Sequence, residues 1–360
     1  FNYMKKKIVK IGIVGCGRVF QHYVKIFNKR KKKDFKIVSV CDKNKDLALR
    51  ASKIFECEAF TNYPLMLKKF RGKLDLILIL TPSGSHYKHS ELALKNHFNV
   101  LCEKPATMLP RDALKLDRLS KKNKVMFGIA FQNRFNKSVV TLKKFHENNK
   151  FGKILIVNVR LLWSRNQSYY NDQWHGRWKT DGGVTNQQAI HHIDVARWIL
   201  GPISEVNTIM TNQINKLEAE DTNNSILKFK SGATGSIQVT TAVRPEDLSA
   251  SLEVIGEKGF MVLGGIALNK IENFYFKKLT KTEKNMLTNS NELVENGYGN
   301  SHTIILDLAI KNVLSNKKQF PVTAIDGFLT ANLIHALYKS DEKKNWIKVT
   351  KNVRSSRLGL

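Results

Sequence analysis

Short apolar, β-branched-rich runs at 8–14, 36–41, 74–80, 98–102 and 124–131 alternate with stretches of helical periodicity at about 18–29, 45–55, 84–96 and 110–122. This alternation narrows the choice of fold more than any other feature of the chain. A run without polar alternation offers neither of its faces to water, so each strand must be covered on both sides. Helices placed between successive strands supply that cover and make the strands run parallel. The expected fold of this third is α/β, a doubly wound parallel sheet.

The pattern changes around Phe135. From Lys153 onward come longer strands with polar alternation, at 153–163, 203–214, 222–230, 234–243 and 250–256, interrupted by one strong helix at about 186–200. Alternation marks a sheet with one solvated face, so the second domain is expected to be α+β with a largely antiparallel, open sheet. The stretch 277–300 is polar and weakly patterned and reads as a surface excursion. Helices at about 302–315 and 323–340 follow. Residues 4–131 are expected to form the first domain and 132–360 the second, with the helices of 302–340 packing back on the first. A length of 360 residues suits two domains, and no internal repeat is visible. The open sheet points to a homo-oligomer, a dimer or tetramer, formed through it.

With 42% hydrophobic and 9% aromatic residues the chain has enough apolar material for a packed core. No stretch approaches the ~20 apolar residues of a bilayer span, so no membrane partner is expected. Lys5, Lys6 and Lys7 before an apolar run have the outline of a secretory leader, but the run 8–14 is short and leads into Gly-Cys-Gly. A first strand is the better reading, with Met4 as the expected natural start and Phe1 to Tyr3 as a remnant. Cys16, Cys41, Cys57 and Cys102 lack C-x-x-C spacing, and three of them fall at expected strand ends. They read as reduced, structural cysteines, which fits a cytoplasmic location. The formal net charge of +30 would suit a nucleic-acid or anionic-surface binder. Lysines, however, are spread along the chain, the one dense knot is 29–33, and no zinc, helix-turn-helix or RNA-stacking motif accompanies them. Neither a nucleic-acid partner nor a metal is expected.

The first strand ends in Ile11-Gly12-Ile13-Val14-Gly15-Cys16-Gly17-Arg18-Val19. Glycines at 15 and 17 let the backbone turn tightly and approach a pyrophosphate, and the next helix aims its N-terminal N–H groups at that anion. Phe20 replaces the third glycine of the dinucleotide fingerprint, which weakens the motif taken alone. Context strengthens it. The second strand ends at Val40-Cys41-Asp42, about 25 residues after Gly17, where a carboxylate accepts hydrogen bonds from an adenosine ribose and repels a 2′-phosphate. NAD is favoured over NADP in a Rossmann domain of this kind. The competing reading is that Asp42 caps the next helix. Gly15, Gly17, Arg18, Val19 and Asp42 are the first cofactor candidates.

Two further segments sit at carboxyl ends of parallel strands, where ligands bind in such sheets. One runs from Leu76-Ile77-Leu78-Ile79-Leu80 into Thr81-Pro82-Ser83-Gly84-Ser85-His86, the other from Asn99-Val100-Leu101-Cys102 into Glu103-Lys104-Pro105. A lysine at a strand end, fixed by the proline after it, is an unusual place for a solvated charge. Thr81, Pro82, Ser83, His86, Glu103 and Lys104 join the cofactor candidates, as does Asn133 at the domain junction; Arg134 beside it is a substrate candidate. The segment holding Trp163, Arg165, Tyr169, Trp174, Arg177 and Trp178 is dense in aromatic rings and guanidinium groups. Rings stack on sugars and bases, and Arg forks match carboxylates and phosphates. The same composition suits an interface loop or packed corner, and both readings stay open.

Together these motifs resemble the glucose–fructose oxidoreductase, inositol dehydrogenase and rhizopine-catabolism family (Gfo/Idh/MocA). The glycine loop, the Thr-Pro-x-x-x-His turn, Glu103-Lys104-Pro105 and Gly182-Gly183-Val184-Thr185-Asn186-Gln187-Gln188-Ala189-Ile190-His191-His192-Ile193-Asp194 stand in the family's order and spacing, and the resemblance spans nearly the whole chain. It implies NAD-dependent hydride transfer to or from a sugar-like polyol. It also implies that Lys104 and His191 line the reacting carbon, with Asn186 and Gln187 beside the substrate. The chain departs from the family at Gln187, where an aspartate is usual. On one continuous helix, positions 187 and 191 share a face, so Gln187 would point at the substrate without being able to take a proton. In this the chain is similar to a nucleotide-sugar branch, the UDP-N-acetylglucosaminuronate 3-dehydrogenases, which implies chemistry at C3 of a nucleotide sugar in surface-polysaccharide synthesis.

The residue types fit that chemistry. Oxidising a secondary alcohol requires loss of the hydroxyl proton as hydride leaves, and a histidine with an ordinary pKa of about 6.5 is suited to take it. A lysine within reach of the same oxygen stabilises developing alkoxide charge. Ile190, Ile193, Val195 and Trp198 would equally suit a packing role for His191; His192 is given no role, and Asp194 only an orienting or capping one. The alternatives are an inositol or free-sugar dehydrogenase of the same family, a lyase or glycosidase using NAD transiently, and a non-catalytic nucleotide-binding regulator. Retention of both Lys104 and His191 argues against the last.

Overall fold

In a computed structural model the apolar runs of the first third become parallel strands. Residues 8–30 and 34–360 are described; Met4, Lys5 to Lys7 and Lys31 to Lys33 of the basic knot lie outside them. Strands β1 (Val9–Val14), β2 (Phe35–Cys41), β3 (Glu58–Phe60), β4 (Leu76–Ile79), β5 (Asn99–Cys102) and β6 (Phe127–Ile129) form one sheet in the order β3-β2-β1-β4-β5-β6, all neighbours parallel. That is the Rossmann order, with the winding reversed between β1 and β4. Leu76, Ile77, Leu78 and Ile79 are 0% exposed, as strands covered on both faces must be. Burying each such side chain contributes about 1.5–3 kcal/mol. The strand β3 and the helix Tyr63–Lys69 were not expected, because Glu-Ala-Phe is too short and too polar to register as an apolar run.

The chain divides into two compact units: Phe1–Thr107, Arg111–Ala130 and His302–Phe328 in one, and Met108–Pro110, Phe131–Ser301 and Leu329–Leu360 in the other. Within the first, Phe320 lies over β6, where a Cβ on Gly128 would come within 2.5 Å of its ring. The Ile129 N–H donates to the Val322 carbonyl at 3.2 Å.

In the second unit β7 (Ile154–Leu162), β8 (Ile203–Thr211), β9 (Thr222–Phe229), β10 (Thr234–Thr240), β11 (Ser249–Gly256), β12 (Gly259–Gly264), β13 (Lys270–Phe276) and β14 (Ile347–Lys348) form a sheet in the order β13-β12-β11-β7-β10-β9-β8-β14. Only the β7–β10 pair is parallel. The helix Ile190–Leu200 lies against β7 and β11. The register aligns Tyr275, Phe260, Ile255 and Ile156 in one row across four strands, and Tyr275, Ile255 and Ile156 are exposed.

Two expectations need correction. The excursion 277–300 contains a helix, Lys281–Thr288, started by a reciprocal capping box between Thr280 and Glu283. The helix expected over 186–200 is two, Val184–Gln187 and Ile190–Leu200. The Ala189 N–H reaches five residues back, to the Val184 carbonyl at 2.8 Å, which widens the turn between them. A shared face for Gln187 and His191 therefore no longer follows from helical spacing.

Candidate active site

At the end of β1, Gly15 has φ +96°, and a Cβ there would lie 2.5 Å from the Leu80 carbonyl carbon and 2.6 Å from the Thr81 nitrogen. Only glycine lets the loop pass so close to the end of β4. At Gly17 the opposite holds: a Cβ would meet nothing within 4 Å. Gly17 starts the helix Arg18–Lys29, whose first turn has neither a side-chain cap nor an acidic residue. Open space over a helix N-terminus without a side-chain cap fits the pyrophosphate of a dinucleotide. Phe20, in place of the third glycine, is buried edge-to-face on Phe55 of the next helix, ring centroids 5.9 Å apart. Asp42 accepts from the Cys16 N–H at 2.8 Å and from the Asn44 N–H at 2.9 Å. The helix Lys45–Phe55 is capped by Asn44, not Asp42. Arg18 is exposed and Val19 half-buried beside this loop. The four cysteines are free, and burial pushes the Cys41 thiol up to about 12 and Cys57 up to about 11.

Beyond β4, Thr81 and Pro82 lead into a short turn at Ser83–Ser85 and the helix His86–Lys95. His86 is buried with both ring nitrogens engaged, one at 2.7 Å from the Pro105 carbonyl and the other at 2.6 Å from the Thr81 carbonyl. Burial lowers its pKa. His86 thus clasps the two strand-end loops together, and its expected place among the cofactor contacts is corrected to that role. Glu103 is corrected likewise, since its carboxylate turns inward. It accepts from the Tyr23 hydroxyl at 2.9 Å and the Lys104 N–H at 3.2 Å, and lies 3.2 Å from His302 Nε2. Burial alone would raise its pKa, but His302, Lys104 and Tyr23 outweigh it and hold the carboxyl low.

In the second unit His191 is buried near the start of its helix, its Nε2 3.3 Å from the Gln132 amide nitrogen and its ring edge-on to Phe131. Glu220 dictates one of the two glycines earlier in this segment: a Cβ on Gly183 would sit 2.4 Å from its carboxyl carbon, whereas Gly182 is held at φ +72°, where glycine is favoured. Glu220 accepts from the Thr185 N–H and the Tyr338 hydroxyl, both at 2.9 Å, and burial raises its pKa to about 7. Asn186 donates to the Asp181 carbonyl at 2.6 Å, so its amide nitrogen shapes this loop. Arg134, expected at the substrate, is 2% exposed and forms a two-point pair with Asp194 at 2.6 and 2.8 Å. Its guanidinium lies over Trp198, 4.8 Å from the ring centre, and Asp194 also accepts from Thr330 at 2.6 Å. Arg134 is a brace.

The aromatic segment forms two clusters. Arg165 stacks over Trp163 at 4.9 Å and Tyr169 at 5.9 Å while pairing with Asp247 at 2.9 Å. Trp174 stacks on His175 at 3.6 Å, with Tyr169 on that same imidazole at 4.3 Å. Trp178 turns instead to Tyr338, edge-on at 5.3 Å, and Arg177 is exposed.

Sequence reasoning passed over Gln132, Gln188 and His192. All three are buried, and among the described residues Gln188 and His192 have no hydrogen-bond partner on any polar side-chain atom. The same is true of Gln132 Oε1 and of Asn133 Oδ1. Buried polar atoms without partners are costly unless a ligand or water meets them, and burial pushes His192 down to about 4. The readable signal was the run of amides beside His191, which a packed core does not need.

Among the described residues, no helix is long and apolar enough to cross a membrane. Residues 9–131 match the family model of the oxidoreductase family with an NAD-binding Rossmann fold, and residues 139–262 that of the GFO/IDH/MocA C-terminal domain. The WlbA dehydrogenase of Chromobacterium violaceum, solved in complex with NADH and UDP-GlcNAcA, is 26% identical, with 97% of this chain and 98% of that one covered at a TM-score of 0.89. The WlbA dehydrogenase of Bordetella pertussis, solved with the same two ligands, is 28% identical, covering 96% and 99% at a TM-score of 0.88. The myo-inositol 2-dehydrogenase of Thermotoga maritima is 25% identical over 347 residues, 95% of this chain and 98% of its own.

Proposed function

Since this chain belongs to the GFO/IDH/MocA family of NAD-binding oxidoreductases, we propose that it is an NAD-dependent dehydrogenase acting on a secondary hydroxyl of a nucleotide-linked sugar. The coarser function is an NAD-dependent sugar or polyol dehydrogenase. The finer reading is a C3 dehydrogenase of UDP-N-acetylglucosaminuronate or a related acidic nucleotide sugar. One observation carries it: the two whole-length structural relatives above 25% identity named here both hold NADH and UDP-GlcNAcA. Gln187 supports it by keeping a negative charge away from an anionic sugar, as do the stacked rings and guanidinium groups of the 163–178 segment.

When bound, NAD would supply the hydride acceptor, and Gly15, Gly17, Asp42, Thr81, Ser83 and Asn133 would hold it. The remaining work falls to the chain. His191 takes the hydroxyl proton as the carbon is oxidised, and the Lys104 ammonium stabilises the developing alkoxide charge. Gln187 and Gln188 orient the sugar by hydrogen bonds and leave the proton to His191. The exposed row Tyr275, Ile255 and Ile156 suits a homo-oligomer through the open sheet.

The myo-inositol 2-dehydrogenase likeness favours the second reading, a free-polyol dehydrogenase. A substrate panel read by NADH formation separates them. Oxidation of UDP-N-acetylglucosaminuronate supports the first, and oxidation of myo-inositol alone supports the second.

A further inference from the structure

We infer that Tyr23 and His302 are positioning residues, which grip the Glu103 carboxylate from two helices and so fix Lys104, the residue after it, at the end of β5. This rests on the reading of Lys104 as a catalytic group. Glu103 is 6% exposed, and a carboxylate so buried must be met by donors. One oxygen receives the Tyr23 hydroxyl from the helix Arg18–Lys29 and faces His302 Nε2, at the first residue of the helix His302–Leu314. The other receives the N–H of Lys104 itself. The carboxylate thus ties the lysine's own peptide to two rigid elements. One of them is the helix that opens at Gly17, so the dinucleotide loop and the lysine loop share an anchor.

The rings around the grip are packed, not solvated. Tyr23 and His302 stand edge-on with centroids 5.6 Å apart, and His22 meets His302 at 4.8 Å. Among the described residues, Cys102 and Lys104 on its own strand end and His86 from the helix His86–Lys95 also interact with the Glu103 charge. A lysine on a flexible four-carbon stem loses orientation readily when its backbone is loosened. Small misplacement of such a group costs rate far more than binding.

The test is a double-mutant cycle with Lys104→Met, Tyr23→Phe, His302→Ala and His302→Gln. Turnover is read as NADH formation on UDP-N-acetylglucosaminuronate, or on myo-inositol if only that is oxidised. NADH affinity and thermal midpoint are measured alongside. Tyr23→Phe and His302→Ala should each lower kcat about tenfold with KM and NADH affinity within about twofold, and neither should lower turnover further in the Lys104→Met background. His302→Gln, which keeps a donor, should recover most of the loss. A second readout needs no turnover: acetylation of Lys104 by acetic anhydride, resolved by peptide mass spectrometry against the exposed Lys281. Its rate should change about threefold or more in Tyr23→Phe and His302→Ala. The same fold-loss of turnover in both backgrounds, or an unchanged acetylation rate, overturns the grip. Wild-type turnover in Lys104→Met overturns the catalytic reading instead, and an altered acetylation rate would then still support the grip on its own.

Discussion

The Asp42 carboxylate receives the backbone N–H of Cys16, between the two loop glycines, at 2.8 Å and that of Asn44 at 2.9 Å. It therefore braces the glycine loop from the end of β2 while Asn44 does the helix capping. A carboxylate held there meets ribose hydroxyls favourably and a 2′-phosphate unfavourably. NAD(H) should bind more tightly than NADP(H), and Asp42→Ala should weaken NAD binding about tenfold or more without unfolding the protein. Titration of both cofactors checks this; equal or tighter NADP affinity would remove Asp42 from the site.

Lys104→Met and His191→Asn should each lower turnover by about 100-fold or more, the scale of losing an acid–base or charge-stabilising group. NAD affinity should change little in His191→Asn. Steady-state kinetics with parallel cofactor titrations make the test, and wild-type turnover in either variant refutes its role.

Arg134 and Asp194 form a buried two-point pair, so removing one partner strands a charge. Asp194→Ala should cost about 3–5 kcal/mol in denaturant unfolding, and Arg134→Ala a similar amount. An Arg134→Ala enzyme with intact stability and a raised KM would return that residue to the substrate.

Glu220 carries a pH signature. Burial raises its pKa from an ordinary 4.5 to about 7, so the fold favours the protonated carboxyl. That contribution is fully present below about pH 4.5 and is lost as pH rises through about 7, an effect on the order of 3 kcal/mol. Glu220→Gln keeps an acceptor for the Thr185 N–H and the Tyr338 hydroxyl but does not titrate. Between pH 5 and 8 the variant should gain on the wild type by roughly that amount. Parallel unfolding curves at two pH values decide it, and a constant gap would show that Glu220 stays ionised.

The parallel sheet was legible because strands buried on both faces leave unbroken apolar runs, as Leu76 to Ile79 do. The strands β12 and β13 were not, since a six-residue strand with glycine at both ends, and a stretch Lys270–Phe276 whose alternation is broken by Glu272-Asn273 and Phe274-Tyr275-Phe276, look like loop until paired. Motifs identified the glycine loop and the lysine turn. They could not distinguish a side chain facing a ligand from one turned inward. Glu103 and His86 lie within the motifs and Arg134 outside them, and their partners, Tyr23, His302, Pro105 and Asp194, stand elsewhere in the sequence. Conversely, His192 stands out only once its burial without a hydrogen-bond partner is seen.

The substrate is the claim that most needs a direct measurement. Arg165→Ala and Arg177→Ala should raise KM for a nucleotide sugar more than they lower kcat. The decisive experiment is calorimetric titration of the NADH-loaded protein with UDP and with UDP-N-acetylglucosaminuronate. Saturable heat for both, with the sugar acid tighter than UDP, is the expected result. No binding of either at millimolar concentration, in a protein that oxidises myo-inositol, would contradict the nucleotide-sugar reading.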